Sequence, residues 1–211
     1  MNDHVNDLQA SWQSAWAAAG WADPGHALFD DLLLRYSEPQ RRYHTLQHLG
    51  ECLAQAPRIT ALAERPGEVL IALWFHDAVY DIGRRDNEAR SAVMARDAVR
   101  AASGGDEAAQ RVHGLVMVTE HHAVPRNRDA QVLVDVDLSI LGAAPARFDE
   151  YERQVRDEYR HVPEFLFRSK RRAVLEGFVQ RQCIFNTEAY VHALEAQARD
   201  NLRRSIHQLR G

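Results

Sequence analysis

Apolar positions recur every three to four residues along nearly the whole chain, the period of a helix with one buried face, and no stretch shows the strict alternation of a half-buried strand. Leu8 to Ala19 predicts a first helix, with Trp12 and Trp16 one turn apart as a packing pair. Asp23-Pro24-Gly25 punctuates the chain, and a second helix runs to about Tyr36 with Leu28, Leu32 and Leu33 inward, ended by Ser37-Glu38-Pro39. A third carries His44 and His48 and reaches about Gln55. Pro57 and Pro66-Gly67 mark breaks before a strongly apolar helix through Val69, Leu70, Ala72 and Leu73, which ends in His76-Asp77.

Beyond Gly83, Asn87 opens a long helix reaching Ala102, closed by Ser103-Gly104-Gly105. Another starts near Asp106 and runs through Val112, Leu115, Val116 and Val118 to Thr119-Glu120-His121-His122. Gln131 to Leu141 is apolar and β-rich in composition, read as helical from Asp135 onward. Pro145, Pro163 and Thr187-Glu188 start the last three helices. The fold class expected is all-α, a compact bundle of roughly eight to ten helices forming one domain over residues 1–211.

Composition narrows the classes. The formal net charge of −4 and the absence of a basic tail give no footprint for nucleic acid or an anionic membrane surface. No apolar run approaches the ~18 residues of a membrane helix. The opening Met1-Asn2-Asp3-His4 is polar and acidic with no basic-then-apolar signal after it, so a cytoplasmic protein is expected. Cys52 and Cys183 have no zinc-type spacing and read as small core residues in a reducing compartment. Arginine supplies the basic residues almost alone, Lys170 being the single lysine.

The chemistry gathers between Tyr43 and Asp81. His44 and His48 are four residues apart, which puts both on one face of a helix. An imidazole and a carboxylate ending an apolar helix, as His76 and Asp77 do, are an unusual use of core space, because buried carboxylates are paired or bind a metal. His48, His76 and Asp77 can share one cation, and Val134-Asp135-Val136-Asp137-Leu138-Ser139 offers a further carboxylate. Such a mixed nitrogen and oxygen set suits a divalent ion: Mn, Fe, Co, Ni or Zn, and Mg less well.

The order of these motifs resembles the HD superfamily of metal-dependent phosphohydrolases, and in particular its small bacterial predicted members. The resemblance rests on Tyr43-His44-Thr45-Leu46-Gln47-His48, Ala72 to Asp81, Asp135 to Gly142 and Arg181-Gln182-Cys183-Ile184-Phe185, and runs from about residue 25 to the C-terminus. It implies an HD-domain helical bundle and a phosphohydrolase in which a metal-activated water attacks a small phosphoester, perhaps a nucleotide. The implied metal ligands are His48, His76, Asp77 and Asp137. Asp137 is preferred to Asp135 because it directly precedes the Leu-Ser-Ile-Leu-Gly run; Asp135 is then a supporting partner or a surface acid. The segment Tyr43 to His48 also resembles the cyclic-nucleotide phosphodiesterases, which implies His44 as proton donor to the leaving oxygen.

The resemblance further implies that Glu88 or Asp81 orients the attacking water, and that His121 or His122 holds a second ion or a phosphate. Arg168, Lys170, Arg171 and Arg172 read mainly as a solvated face, with one of them free to meet a substrate phosphate. Trp74 and Tyr80 read as wall or core. Two other readings stand beside the hydrolase: an HD-fold di-iron oxygenase, which needs His121 or His122 as added ligands, and a non-enzymatic metal- or nucleotide-binding module. The expected partner is a small phosphoester, with a homodimer as the base-rate assembly.

Overall fold

A computed structural model describes residues 2–120 and 125–210. Among the described residues there are eleven α-helices, one 3-10 turn and no strand, so the all-α expectation holds with one helix more than expected. The contacts divide the chain into two compact units, Met1–Val136 and Asp137–Gly211.

The first unit holds α1 (Asn2–Ala19), α2 (His26–Tyr36), α3 (Leu46–Leu53), α4 (Ala56–Leu62), α5 (Pro66–Phe75), α6 (Asn87–Ala101), α7 (Gly105–Met117) and nearly all of α8 (Arg128–Asp137). Its centre is α5, in which every residue from Gly67 to Phe75 is buried. A helix apolar on all sides must be surrounded, and α5 packs on α1, α3, α4, α6 and α7. Trp12 and Trp16 meet edge-on at 5.3 Å between ring centroids, and Trp12 meets Trp74 at 5.2 Å. These rings are core, as their spacing implied.

Gly67 sets how closely α1 and α5 approach. A Cβ there would lie 2.3 Å from the backbone nitrogen of Ala19 and 2.6 Å from the carbonyl carbon of Ala18. The buried carboxylate of Glu68, in the first turn of α5, is held by a two-pronged bond from Arg111 of α7, at 2.6 and 2.9 Å. Asp129 accepts from the backbone N–H groups of Glu64 and Arg65, at 2.7 and 3.1 Å, just before α5 begins. These bonds fix the α5 N-terminus and so the position of its far end.

Two elements differ from the periodicity. The short α4 contains Pro57 near its start, where a missing N–H costs nothing, so the proline opens a helix instead of only breaking one. α8 begins at Arg128, well before Asp135: its β-branched run is buried almost throughout, and burial outweighs weak helix propensity.

The second unit holds the 3-10 turn Leu138–Gly142, α9 (Pro145–Glu158), α10 (Glu164–Val179) and α11 (Glu188–Arg210). Asn201 of α11 donates to the carbonyls of Leu141 and Ala143, at 2.9 and 2.8 Å, tying the turn to the helix. Two of the four basic residues on α10 are structural, while Lys170 is exposed. Arg168 bonds the carbonyls of Gln208 and Leu209 near the end of α11, and Arg171 pairs with Glu152 of α9 beneath the Tyr151 ring. Cys183 is exposed, a correction to its expected place in the core; its side chain lies in the link between α10 and α11. Among the described residues no helix is long and apolar enough to cross a membrane.

Candidate metal centre

Three side chains of the first unit converge at the end of α5. His76 terminates the helix in helical conformation, so its ring continues the buried face, and Asp77 follows in the turn. His48 comes from the first turn of α3. The Nε2 atoms of His48 and His76 are 3.1 Å apart, Asp77 Oδ2 is 3.0 Å from His76 Nε2, and it is 3.5 Å from His48 Nε2. Ligands about 2.1 Å from a common ion stand about 3.0 Å apart at octahedral angles and about 3.4 Å apart at tetrahedral ones. The three separations therefore fit one shared cation.

The opposite ring nitrogens set the tautomers. His76 Nδ1 lies 2.7 Å from the Leu73 carbonyl, which can only accept, so Nδ1 carries the proton and Nε2 presents a lone pair. His48 Nδ1 lies 3.0 Å from the Tyr43 hydroxyl, which can accept from it when Nε2 faces an ion. Both imidazoles are 2% exposed, whereas the Asp77 side chain is 17% exposed. The carboxylate thus marks the side of the site open to solvent.

Burial pushes the Asp77 carboxyl up, but the charges of His76, His44 and His48 and the hydrogen bond from His76 outweigh it. The group is held well below the ordinary carboxylate range.

Cys52 sits one turn after His48 on α3, in no disulfide, with its sulfur 3.8 Å from His48 Nδ1 and 3.9 Å from Nε2. His48, Cys52 and His76 offer ligand atoms that all lie within 4.8 Å of one another, a group able to hold a metal ion. The sequence reading placed Cys52 only in the core; its spacing of four from His48 was the available signal.

His44 is not on the His48 helix, contrary to expectation. α3 begins at Leu46, because Thr45 takes extended backbone and its hydroxyl accepts from the Gln47 N–H as N-cap. His44 lies in the preceding turn and stacks on Tyr80 at 4.2 Å between centroids, with its ring 6.1 Å from that of His48. It still faces the site, and its charge acts on Asp77.

Two residues that sequence reasoning passed over hold the turn in place. Arg41 is 2% exposed and donates to the carbonyls of His44, Asp77 and Ala78 and to the Glu38 carboxylate. Its guanidinium lies over the rings of Tyr36 and Tyr80. Tyr36 donates to the Trp74 carbonyl and accepts from the Asp77 N–H, closing the end of α5. Burial pushes its phenol well up, so it stays a neutral bridge.

The other expected residues divide. Glu88 is half-buried in the first turn of α6, three residues from Ser91, whose hydroxyl accepts from the Val79 N–H at 3.0 Å. That spacing places Glu88 on the α6 face turned to the Asp77 loop. The Asp81 carboxylate instead accepts from the Gly83 N–H and shapes the exposed turn. Asp137 is the last residue of α8 and the first of the second unit. Asp135 is fully buried, so it is not a surface acid. His121 and His122 lie outside the described residues.

A cleft of about 330 Å³, lined by Glu64, Glu68, Arg111 and Asp129 among others, opens near the opposite end of α5. Its charged groups already serve the two links just described for Glu68 and Asp129, and it is no part of the centre.

No family model, no curated protein and no solved structure matches this chain.

Proposed function

We propose that this protein is a divalent-metal-dependent phosphohydrolase of the HD type, acting on a small phosphoester such as a nucleotide. The observation that supports it is the convergence of His48 Nε2, His76 Nε2 and Asp77 Oδ2 within 3.0 to 3.5 Å at the buried end of an apolar helix. The resemblance of the surrounding motifs to HD phosphohydrolases supplies the reaction class and adds Asp137 as a fourth ligand. An ion held there would polarise a phosphoryl oxygen and lower the pKa of water towards ~7.

The chain's own groups do the rest. His76, with its proton fixed on Nδ1 by the Leu73 carbonyl, presents its Nε2 lone pair without rearrangement. The Asp77 side, 17% exposed, is the one from which water and substrate would enter, and the buried imidazoles close the other. His44, stacked on Tyr80 at 4.2 Å between centroids, is the group we assign to giving a proton to the departing oxygen. Glu88, in the first turn of α6, is the acid we assign to orienting the attacking water.

The test is metal content of the purified protein, followed by phosphate release from a panel of nucleotides and simple phosphoesters with each divalent ion restored. About one ion per chain supporting release, with Asp77→Ala losing both metal and activity, is the expected result. Asp137→Ala tests the fourth ligand by the same loss of bound metal. Turnover by metal-free Asp77→Ala protein overturns the proposal; two irons per chain with no phosphoester cleaved would favour oxygenase chemistry instead.

A further inference from the structure

His48 can bind an ion through Nε2 only if its ring proton sits on Nδ1, because a neutral imidazole carries one proton for two nitrogens. That proton needs an acceptor, and His48 is buried away from water. His76 has a carbonyl for the purpose, that of Leu73. His48 has the Tyr43 hydroxyl, 3.0 Å from Nδ1, on a residue that is itself buried. The Tyr43 ring also packs on the imidazole, at 4.7 Å between centroids. Its backbone is fixed: the Tyr43 carbonyl accepts from the Thr45 N–H at 2.7 Å, and Thr45 caps α3, the helix that carries His48. The Cys52 sulfur stands beside the same ring, 3.8 Å from Nδ1, and is only a weak acceptor.

Resting on the metal-centre reading above, we infer that Tyr43 is a positioning residue of the centre: its hydroxyl accepts from His48 Nδ1–H and holds the imidazole in the tautomer and ring orientation in which Nε2 faces the ion. A hydroxyl turned the other way donates to a lone pair on Nδ1, which puts the ring proton on Nε2 and closes that nitrogen to an ion. Metal binding therefore selects the accepting orientation, with the hydroxyl's own proton pointing away from the ring. In this role Tyr43 touches neither ion nor substrate and acts through His48. Removing such a partner from a metal-binding imidazole lowers metal affinity by about 10–100-fold.

Protein stripped with chelator and titrated with zinc against a colorimetric competitor reads affinity and not turnover. Tyr43→Phe keeps the ring, removes only the hydroxyl, and is expected to bind zinc about 10–100-fold more weakly than wild type. Leu53→Ala, a truncation on the buried face of the same helix, is expected to lower the urea midpoint and leave zinc affinity unchanged, which separates positioning from stability. NMR of zinc-loaded wild-type protein is expected to find the His48 ring proton on Nδ1 and protected from exchange. This measurement needs no variant, so the test survives if Tyr43→Phe fails to fold. Tyr43→Phe binding zinc as tightly as wild type, or an equal loss of affinity in Leu53→Ala, overturns the role of Tyr43 and leaves the centre standing. A His48 ring proton that exchanges as fast as a solvent-exposed one does the same. No zinc bound to wild-type protein overturns the centre, and the role of Tyr43 with it.

Discussion

Replacing Arg41 with methionine removes a guanidinium that holds three backbone carbonyls of the site, those of His44, Asp77 and Ala78. Methionine fills similar space and keeps the apolar contact with Tyr36 and Tyr80, so the change isolates the hydrogen bonds. Each bond from a charged donor contributes roughly 1.5–3 kcal/mol, and a buried acceptor left without a donor costs roughly 1–3 kcal/mol. The three bonds come from one guanidinium, so their losses do not simply add. A loss of about 3–5 kcal/mol is expected, the range for breaking a buried charged network. At a urea m-value of about 2–3 kcal/mol/M, the midpoint should fall by roughly 1–2 M. Lysine should restore only part of this, because one ammonium cannot reproduce a planar fork aimed at three oxygens. Because the clamp joins the His44 turn to the Asp77 turn, metal affinity should fall with it, measured by cobalt titration in the absence of urea. An Arg41→Met protein with an unchanged urea midpoint and unchanged metal affinity would refute the reasoning.

Other outcomes follow from the same geometry. His44→Asn should keep its metal and lose about 10²–10⁴-fold in turnover on a phosphoester with a poor leaving group; unchanged turnover would remove the acid role. Gly67→Ala should destabilise by about 1–3 kcal/mol or more in urea unfolding, because its Cβ meets the α1 backbone and not a flexible side chain. The charged imidazoles facing Asp77 hold its carboxyl below the unfolded value, so while they are charged its stabilising contribution is present above the ordinary carboxylate range and is lost as the pH falls through the lower, folded value. As the pH falls from 6, the stability gap between metal-free wild type and Asp77→Asn should narrow only below about pH 4; narrowing already complete between pH 6 and 4 would contradict it.

What the sequence determined alone was local and periodic. The helical period of the apolar residues is enough for an all-α fold, because each helix buries one stripe whatever it packs against. The apolar run from Val69 to Phe75 announces a surrounded helix, and a His-Asp pair at its end announces a site, since neither group belongs there without a partner. His48 was legible by motif for the same reason.

Tertiary structure decided what depends on residues far apart in the chain. Arg41 looked like one of several arginines. Its importance comes from carbonyls 36 and 37 residues away, which no local pattern marks. Tyr36 bridges to Asp77 across 41 residues in the same way. The helical spacing of His44 and His48 was misleading because Thr45 makes a better cap than a helix interior, so α3 starts after His44. Cys52 shows the reverse case: its spacing from His48 was visible, but a buried cysteine is usually only a small apolar residue. Only the packing of α3 against α5 sets its sulfur beside two imidazoles instead of among aliphatic side chains.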